Sequence, residues 1–172
     1  MPMPPATIRR LVPADLPAYK ALRDDALFAH PESFTSDPAP ERSPDSYLSR
    51  LGLQRPEGGE FTLGAWRVGE LIGAVSCERD ARAKVRHIGH VIGMMVRSEA
   101  QGQGIGRRLL EACIQEARAA DGLVMLTLTV TAGNLAAVRL YERAGFERYG
   151  SLPRAIWVDG VYHAKDLMAL AL

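Results

Sequence analysis

Residues 101–107 read Gln101-Gly102-Gln103-Gly104-Ile105-Gly106-Arg107, and this stretch decides the fold of the chain. It follows an apolar segment typical of a strand, residues 91–96, and it opens a segment whose apolar residues have helical spacing. A glycine-rich turn at the start of a helix exposes unpaired backbone N–H groups, which attract phosphate together with the helix dipole. The stretch therefore predicts a strand, a turn that binds a phosphorylated cofactor, and a helix.

The spacing of the glycines distinguishes between known phosphate-binding turns. A dinucleotide-binding turn needs its third glycine where this chain has Arg107, and the G-x-x-x-x-G-K-[ST] string of the P-loop does not occur in the chain. The pattern that fits is Gln-x-x-Gly-x-Gly, from Gln101 through Gly104 to Gly106. Because glycines lack side chains, the backbone of such a turn can curl around a diphosphate.

A second segment with its own pattern lies about thirty positions further on. It reads Asn134-Leu-Ala-Ala137-Val-Arg-Leu140-Tyr141-Glu-Arg-Ala-Gly145-Phe146. Together with the glycine turn it resembles the GNAT superfamily of acetyl-CoA-dependent N-acetyltransferases, whose segment is N-x-x-A-x-x-L-Y-x-x-x-G-F. The resemblance is strong over residues 86–150 and rests on the order of elements elsewhere.

The resemblance implies an α/β (α+β) fold with a mixed, mostly antiparallel twisted sheet of about seven strands, flanked by four helices. The sheet is expected to splay between the strand before and the strand after the glycine-turn helix. Hydrophobic spacing and turn residues independently predict the order β-α-α-β-β-β-α-β-α-β-β. We interpret residues 1–172 as a single domain, with residues 1–5 disordered. The predicted strands are 7–12, 61–68, 70–78, 87–96, 123–130, 146–158 and 161–170, and the predicted helices are 13–27, 44–53, 104–120 and 134–144.

The composition indicates a globular enzyme of the cytoplasm. A formal net charge of +1 gives no large basic field for nucleic acid, and no apolar run is long enough to span a membrane. Cys77 and Cys113 lie in apolar stretches without C-x-x-C spacing, which favours reduced buried thiols. Histidines and cysteines never cluster at ligand spacing, so no metal is expected. Both a monomer and a homodimer remain open.

The resemblance also implies which residues hold acetyl-CoA, the cosubstrate. The glycine turn would take the pyrophosphate, and the end of the preceding strand would pair through its backbone with the pantetheine arm. One N–H of that strand would polarise the thioester carbonyl. Asn134 is also well suited to cap the N-terminus of the helix, and this is its alternative role. The cofactor-binding residues implied are Met94, Val96, Gln101, Gly102, Gln103, Gly104, Gly106, Arg107, Asn134 and Ala137.

The catalytic residues implied by the resemblance begin with Tyr141, whose hydroxyl would protonate the departing thiolate. Its alternative role is that of a core aromatic residue, because it shares a helical stripe with Ala137. In some family members a glutamate that acts as the general base stands where this chain has Thr129, so this chain lacks that base. The remaining candidates for the general base are His90, on the strand before the turn, and Glu78 on its neighbour, with His87 as a third.

These observations predict transfer of an acetyl group from acetyl-CoA to a primary amine of a small molecule or a peptide terminus. The amine would attack directly in a ternary complex. One alternative is a CoA-binding GNAT-fold sensor or partner module without catalysis, and another is an enzyme for longer acyl groups or oxygen nucleophiles. The identity of the acceptor is expected to depend on the loops 29–44 and 79–86.

Overall fold

The computed structural model describes residues 3–172, and over these residues the chain forms seven strands and three α-helices, joined by loops and 3-10 turns. Met1 and Pro2, part of the segment expected to be disordered, lie outside the described residues, whereas residues 3–5 form neither helix nor strand. The strands are β1 (Thr7–Arg10), β2 (Phe61–Arg67), β3 (Glu70–Arg79), β4 (Ile88–Val96), β5 (Met125–Thr131), β6 (Glu147–Val158) and β7 (Val161–Ala171), and the helices are α1 (Leu16–Ala29), α2 (Ile105–Ala119) and α3 (Leu135–Arg143).

Two of the four predicted helices differ in detail from the prediction. The segment predicted as a short helix from position 44 is a 3-10 helix, Pro44–Leu51, which ends at Gly52 in the left-handed conformation. The first predicted helix starts as a 3-10 turn, Pro13–Asp15, before it continues as α1. Proline at the first position of both 3-10 segments suits a helix start, since it lacks the N–H that would be unpaired there.

The seven strands form one sheet in the order β1-β2-β3-β4-β5-β7-β6. All neighbouring strands are antiparallel except β4 and β5, which are parallel and connected through α2. The mixed, mostly antiparallel sheet expected from the sequence is thereby confirmed. The single parallel pair follows from the helical crossover, because parallel neighbours need a long connection of this kind.

The expected splay of the sheet lies within this parallel pair. β4 and β5 are paired only from Ile88 to His90 on one side and from Met125 to Thr127 on the other, and they separate beyond that point. β4 also carries a bulge, because Ala74 and Ser76 of β3 are paired with Met95 and Ile92. An extra residue bends and twists a strand. The bulge lies in the part of β4 that is no longer paired with β5.

Helices cover both faces of the sheet. Along β3 the apolar side chains alternate, so that Leu71 and Ala74 pack in one cluster while Ile72 and Val75 pack in the other. The first cluster includes α1 and the 3-10 helix, and the second includes α2. Residues three apart share a face here because β3 has a bulge, where Ala65 and Trp66 of β2 are paired with Gly73 and Leu71, and the extra residue shifts the alternation by one position. The splay opens between these two layers, and the candidate site lies there.

Candidate active site

Two cavities meet where β4 and β5 separate. The larger, which we call the groove, has a volume of about 1210 Å³ and runs along the ends of β4, α2 and α3. The smaller, which we call the inner cavity, has a volume of about 320 Å³ and reaches toward α1 and β3. They share part of their walls, so they lie next to each other. The shared residues are Ser33, Phe34, Met94, Thr131, Asn134, Ala137 and Leu140.

The groove contains the N-terminus of α2 with its backbone exposed. The first backbone bond of this helix runs from Arg108 N to Gly104 O, at 3.1 Å, and Gly104 has no side chain to cap the turn. The preceding N–H groups of the first turn, on residues 105–107, therefore have no helical partner. Gly102 and Gly104 have φ values of +73° and +77°, and a Cβ on either would meet no atom within 4 Å. The open backbone and the helix dipole together fit a diphosphate.

Three arginines line the groove and add positive charge. Arg107 stands in the first turn of α2 and is 3.8 Å from Glu111, an exposed pair. Arg139 and Arg143, four residues apart on α3, also line the groove. Sequence reasoning identified Arg107 but missed the pair on α3. Their i, i+4 spacing within the Asn134–Phe146 motif was the signal available for them.

The two glutamines of the turn have different environments. The Nε2 of Gln101 donates to Val96 O at 3.2 Å, so this side chain ties the turn to the end of β4. The side chain of Gln103 donates to Glu99 O and accepts from Arg67, both at 2.9 Å, and it lines neither cavity. A cofactor contact from Gln103 would therefore come from its backbone. The other predicted cofactor-binding residues all line the groove: Met94, Val96, Gln101, Gly102, Gly104, Gly106, Arg107, Asn134 and Ala137.

Asn134 combines its two suggested roles. Its Oδ1 accepts a hydrogen bond from Ala137 N at 3.2 Å, which caps α3. Asn134 also lines both cavities at their junction. Because the cap uses only the oxygen, the two N–H bonds of the amide remain available to a bound molecule.

Tyr141 lies on the inner cavity wall and is almost buried, with 7% of its surface exposed. Its ring packs edge-on against Phe146, with centroids 6.0 Å apart. Burial, with a smaller effect of Cys113, raises the pKa of Tyr141 to about 12. The hydroxyl therefore keeps its proton at neutral pH and can act as an acid. The tyrosine is a packed aromatic residue and a cavity residue at once.

The candidate bases differ in whether they line a cavity. Glu78 lines the inner cavity, together with Thr129 and Tyr141. His90 is paired with Glu78 across β3 and β4, but it lines neither cavity, and its Nδ1 lies 2.6 Å from Thr127 Oγ1. His87 lies before β4 and lines neither cavity. Glu78 and Tyr141 thus line the same cavity, and neither histidine lines this cavity or the groove.

Of the two loops expected to select the acceptor, one borders the site. Residues 33–36 line the inner cavity, and Thr131 Oγ1 holds this loop by donating to Glu32 O at 2.7 Å. No residue of 79–86 lines either cavity. Arg79 instead donates to Gly58 O at 3.1 Å and Asp121 O at 2.6 Å, so it ties neighbouring loops together.

Other features of the described residues bear on the class of site. Across residues 3–172, no group of three or more His, Cys, Asp or Glu side chains could hold a metal ion. Cys77 and Cys113 are free and buried. In the same part of the chain, every helix is too short or too polar to cross a membrane.

A sheet that splays at its one parallel pair, with an uncapped glycine-rich helix start in the opening, is the architecture of a GNAT-type acetyltransferase. The Acetyltransferase (GNAT) family matches residues 19–146, and the chain belongs to this family. Proteins of this family use acetyl-CoA.

Individual relatives agree with this membership. The chain is 29% identical to an L-methionine sulfoximine/L-methionine sulfone acetyltransferase of Pseudomonas paraeruginosa, over 87% of this chain and 84% of the relative. It is 32% identical to a mycothiol acetyltransferase of Salinispora tropica over 88% of this chain, but it spans only 49% of that relative. A crystal structure of a GNAT-family acetyltransferase from Streptococcus pneumoniae superposes with a TM-score of 0.87, at 29% identity, covering 97% and 99% of the two chains.

Proposed function

We propose that this protein transfers an acetyl group from acetyl-CoA to a primary amine of a small molecule or a peptide terminus, by direct attack in a ternary complex. One observation carries the proposal: the groove and the inner cavity are adjacent and share lining residues, among them Met94, Asn134 and Leu140. A cofactor arm in the groove and an amine in the cavity would meet at this junction. Holding two reactants side by side removes much of the entropic barrier to their reaction.

The groove would hold the cofactor through backbone groups and arginines. The free N–H groups at the start of α2 and the side chain of Arg107 would take phosphate oxygens, with Arg139 and Arg143 also lining the groove. The end of β4, from Met94 to Val96, would align the pantetheine arm, and an N–H in this segment would stabilise negative charge on the acetyl oxygen. When bound, acetyl-CoA supplies the acetyl group as a thioester.

Two side chains of the inner cavity would move the protons. The amine nitrogen forms a bond to the acetyl carbon as the carbon–sulfur bond breaks. Glu78 would accept the proton that the amine loses, directly or through a water molecule, and Tyr141 would donate its proton to the departing sulfur. We favour Glu78 over His90 because only Glu78 lines the cavity, whereas the His90 ring lies against Thr127 outside it.

The proposal is tested by incubating the purified chain with acetyl-CoA and a panel of primary amines and short peptides. Release of free CoA and the mass of each product are measured, and we expect N-acetylated product from at least one amine. Tight CoA binding without transfer to any acceptor would favour the non-catalytic CoA-binding module. Failure to bind CoA, measured by calorimetry, would overturn both.

A further inference from the structure

The wall of the inner cavity that faces α1 carries two guanidinium groups. Arg23 comes from α1 and is only 5% exposed, and Arg50 comes from the 3-10 helix Pro44–Leu51. Both lie against Gly93 in the bulge of β4, where a Cβ would be 3.2 Å from Arg50 Nη1 and 3.8 Å from Arg23 Nη1. Gly93 has a φ of +59° and no side chain, so it leaves this space to the two arginines.

Neither arginine has an anionic partner among residues 3–172. Arg23 Nη2 donates to Ser36 Oγ at 3.4 Å, and its Nε is buried without a hydrogen-bond partner in the protein. Arg50 Nη1 donates to Tyr19 OH at 3.0 Å. Each guanidinium also lies 5.6 Å from the centre of the Tyr47 ring. All of these contacts are to neutral groups, and no carboxylate lies within 4.0 Å of either arginine.

Two like charges beside one glycine repel each other, and the repulsion is stronger away from bulk water. Arginine keeps its charge when buried, so it cannot relieve this repulsion by losing a proton. Lys165, on the same cavity, differs in this respect, since partial burial lowers its pKa. Glu78 is the carboxylate among the cavity residues, and it forms no ion pair with either arginine. An anion in the cavity would offset both charges.

We infer that Arg23 and Arg50 bind a carboxylate of the acceptor, so that the substrate class is a small amino acid with a free carboxylate and a primary amine. The inference rests on the proposed acetyl transfer in this cavity. A guanidinium offers paired N–H groups that match the two oxygens of a carboxylate. With the carboxylate held beside Gly93, the amine would extend toward Glu78 and Tyr141 on the same cavity. A peptide N-terminus lacks this nearby carboxylate and would be a poor acceptor.

The test compares each of a set of L-amino acids with its own carboxamide, which keeps the amine and removes the charge. We expect kcat/KM for the acid to exceed that for the amide by about 10- to 100-fold, the size of a hydrogen bond to a charged group. Such a preference for the acid would not come from the amount of neutral amine. The amine of the carboxamide is the weaker base, so a larger fraction of it is unprotonated at neutral pH. Equal rates for acid and amide, or faster peptides, would overturn the inference while leaving acetyl transfer intact.

Variants of Arg23 and Arg50 test whether these residues cause the preference for the acid. Arg50→Gln should reduce the acid-over-amide ratio to within about threefold, chiefly by raising KM for the acid, with kcat and the KM for acetyl-CoA little changed. Arg50→Lys and Arg23→Lys, which keep a charge, should retain an intermediate ratio. Arg10→Gln removes one charge on an exposed residue that lines neither cavity and serves as the matched control. A ratio unchanged in folded Arg50→Gln and Arg23→Lys would place the carboxylate elsewhere.

A binding measurement keeps the inference testable if no amine is acetylated. Calorimetric titration of the protein–CoA complex with the same acids and amides should then show acids binding at least tenfold more tightly, and Arg50→Gln should abolish the difference. An absence of acetylation would overturn the proposed function alone. An absence of any acid preference in binding would overturn the carboxylate site.

Discussion

The groove and the inner cavity lie side by side in the splayed sheet, yet they are built from different parts of the chain. The part of the groove that fits a phosphate is the free backbone at the start of α2 and the end of β4, within residues 94–107, and α3 adds further lining residues. The inner cavity presents side chains from α1, the 3-10 helix, β3, β5 and α3. A pyrophosphate site can therefore be encoded in one short stretch, whereas an acceptor site depends on residues brought together by the whole fold. Substitutions in the two regions should have separable effects.

The largest effect is expected in the inner cavity, from Tyr141→Phe. This change removes the proposed acid, keeps the edge-on packing with Phe146, and should lower kcat by roughly 10²-fold. CoA affinity should change little, because Tyr141 lines the inner cavity, whereas the phosphates are expected at the start of α2. Steady-state kinetics and calorimetry measure the two quantities. A variant as fast as the parent would reduce Tyr141 to a packing residue.

The next prediction distinguishes the two candidate bases, Glu78 and His90. Glu78→Gln should lower kcat/KM for the amine by about 10- to 100-fold, the low end of general base effects, with CoA affinity retained. His90→Gln is the matched control, since His90 is paired with Glu78 in the sheet but lies outside the cavity. The opposite ranking of these two variants would move the base to His90.

A third pair of variants tests the backbone character of the groove. Gly104→Ala and Gly69→Ala both place a side chain at a φ near +77°, and neither Cβ meets an atom within 4 Å. Each should cost about 1–2 kcal/mol of stability, because the left-handed conformation is unfavourable for alanine. Only Gly104→Ala should weaken CoA binding, by about tenfold or more, since its methyl group enters the phosphate site. Equal CoA affinity in the two variants would place the phosphates elsewhere.

The effect of pH on Tyr141 is expected to be the smallest. The hydroxyl must be protonated to act, and a pKa raised to about 12 keeps it so well above neutrality. Loss of the acid should therefore begin only as the pH approaches 12, and the rate should show no alkaline fall from this group up to pH ~10. A fall near the ordinary pKa of tyrosine that disappears in Tyr141→Phe would show that burial does not protect the phenol.

The same contrast explains how far the sequence predicts the site. The glycine turn and the Asn134–Phe146 motif are local, so their elements and their place at the groove could be predicted, and the splayed sheet followed from the resemblance. Arg23 and Arg50 lie on segments with no motif, and their proximity arises only when α1 and the 3-10 helix pack against β4. The bulge at Gly93 was missed too: a glycine inside a strand often marks a bulge, but β4 contains both Gly89 and Gly93, and the sequence does not show which of them does.

His90 shows a second limit of sequence reasoning. It was placed on the correct strand, and its register partner is Glu78, so the two candidate bases are neighbours in the sheet. Paired residues project on the same face of a sheet, so the sequence and the register together do not show that only Glu78 lines the cavity. That difference depends on how far β4 and β5 stay paired, which ends at His90 and Thr127 and which periodicity and propensity do not predict.

A crystal structure of the protein with CoA would show directly whether CoA lies in the groove and leaves the inner cavity to the acceptor. We expect the pyrophosphate on the free N–H groups at the start of α2, beside Gly104, and the sulfur at the junction of the two cavities near Tyr141. The inner cavity should remain open to an amine. A pyrophosphate away from the glycine turn, or a thiol that fills the inner cavity or points to solvent, would contradict the division between a cofactor groove and an acceptor cavity.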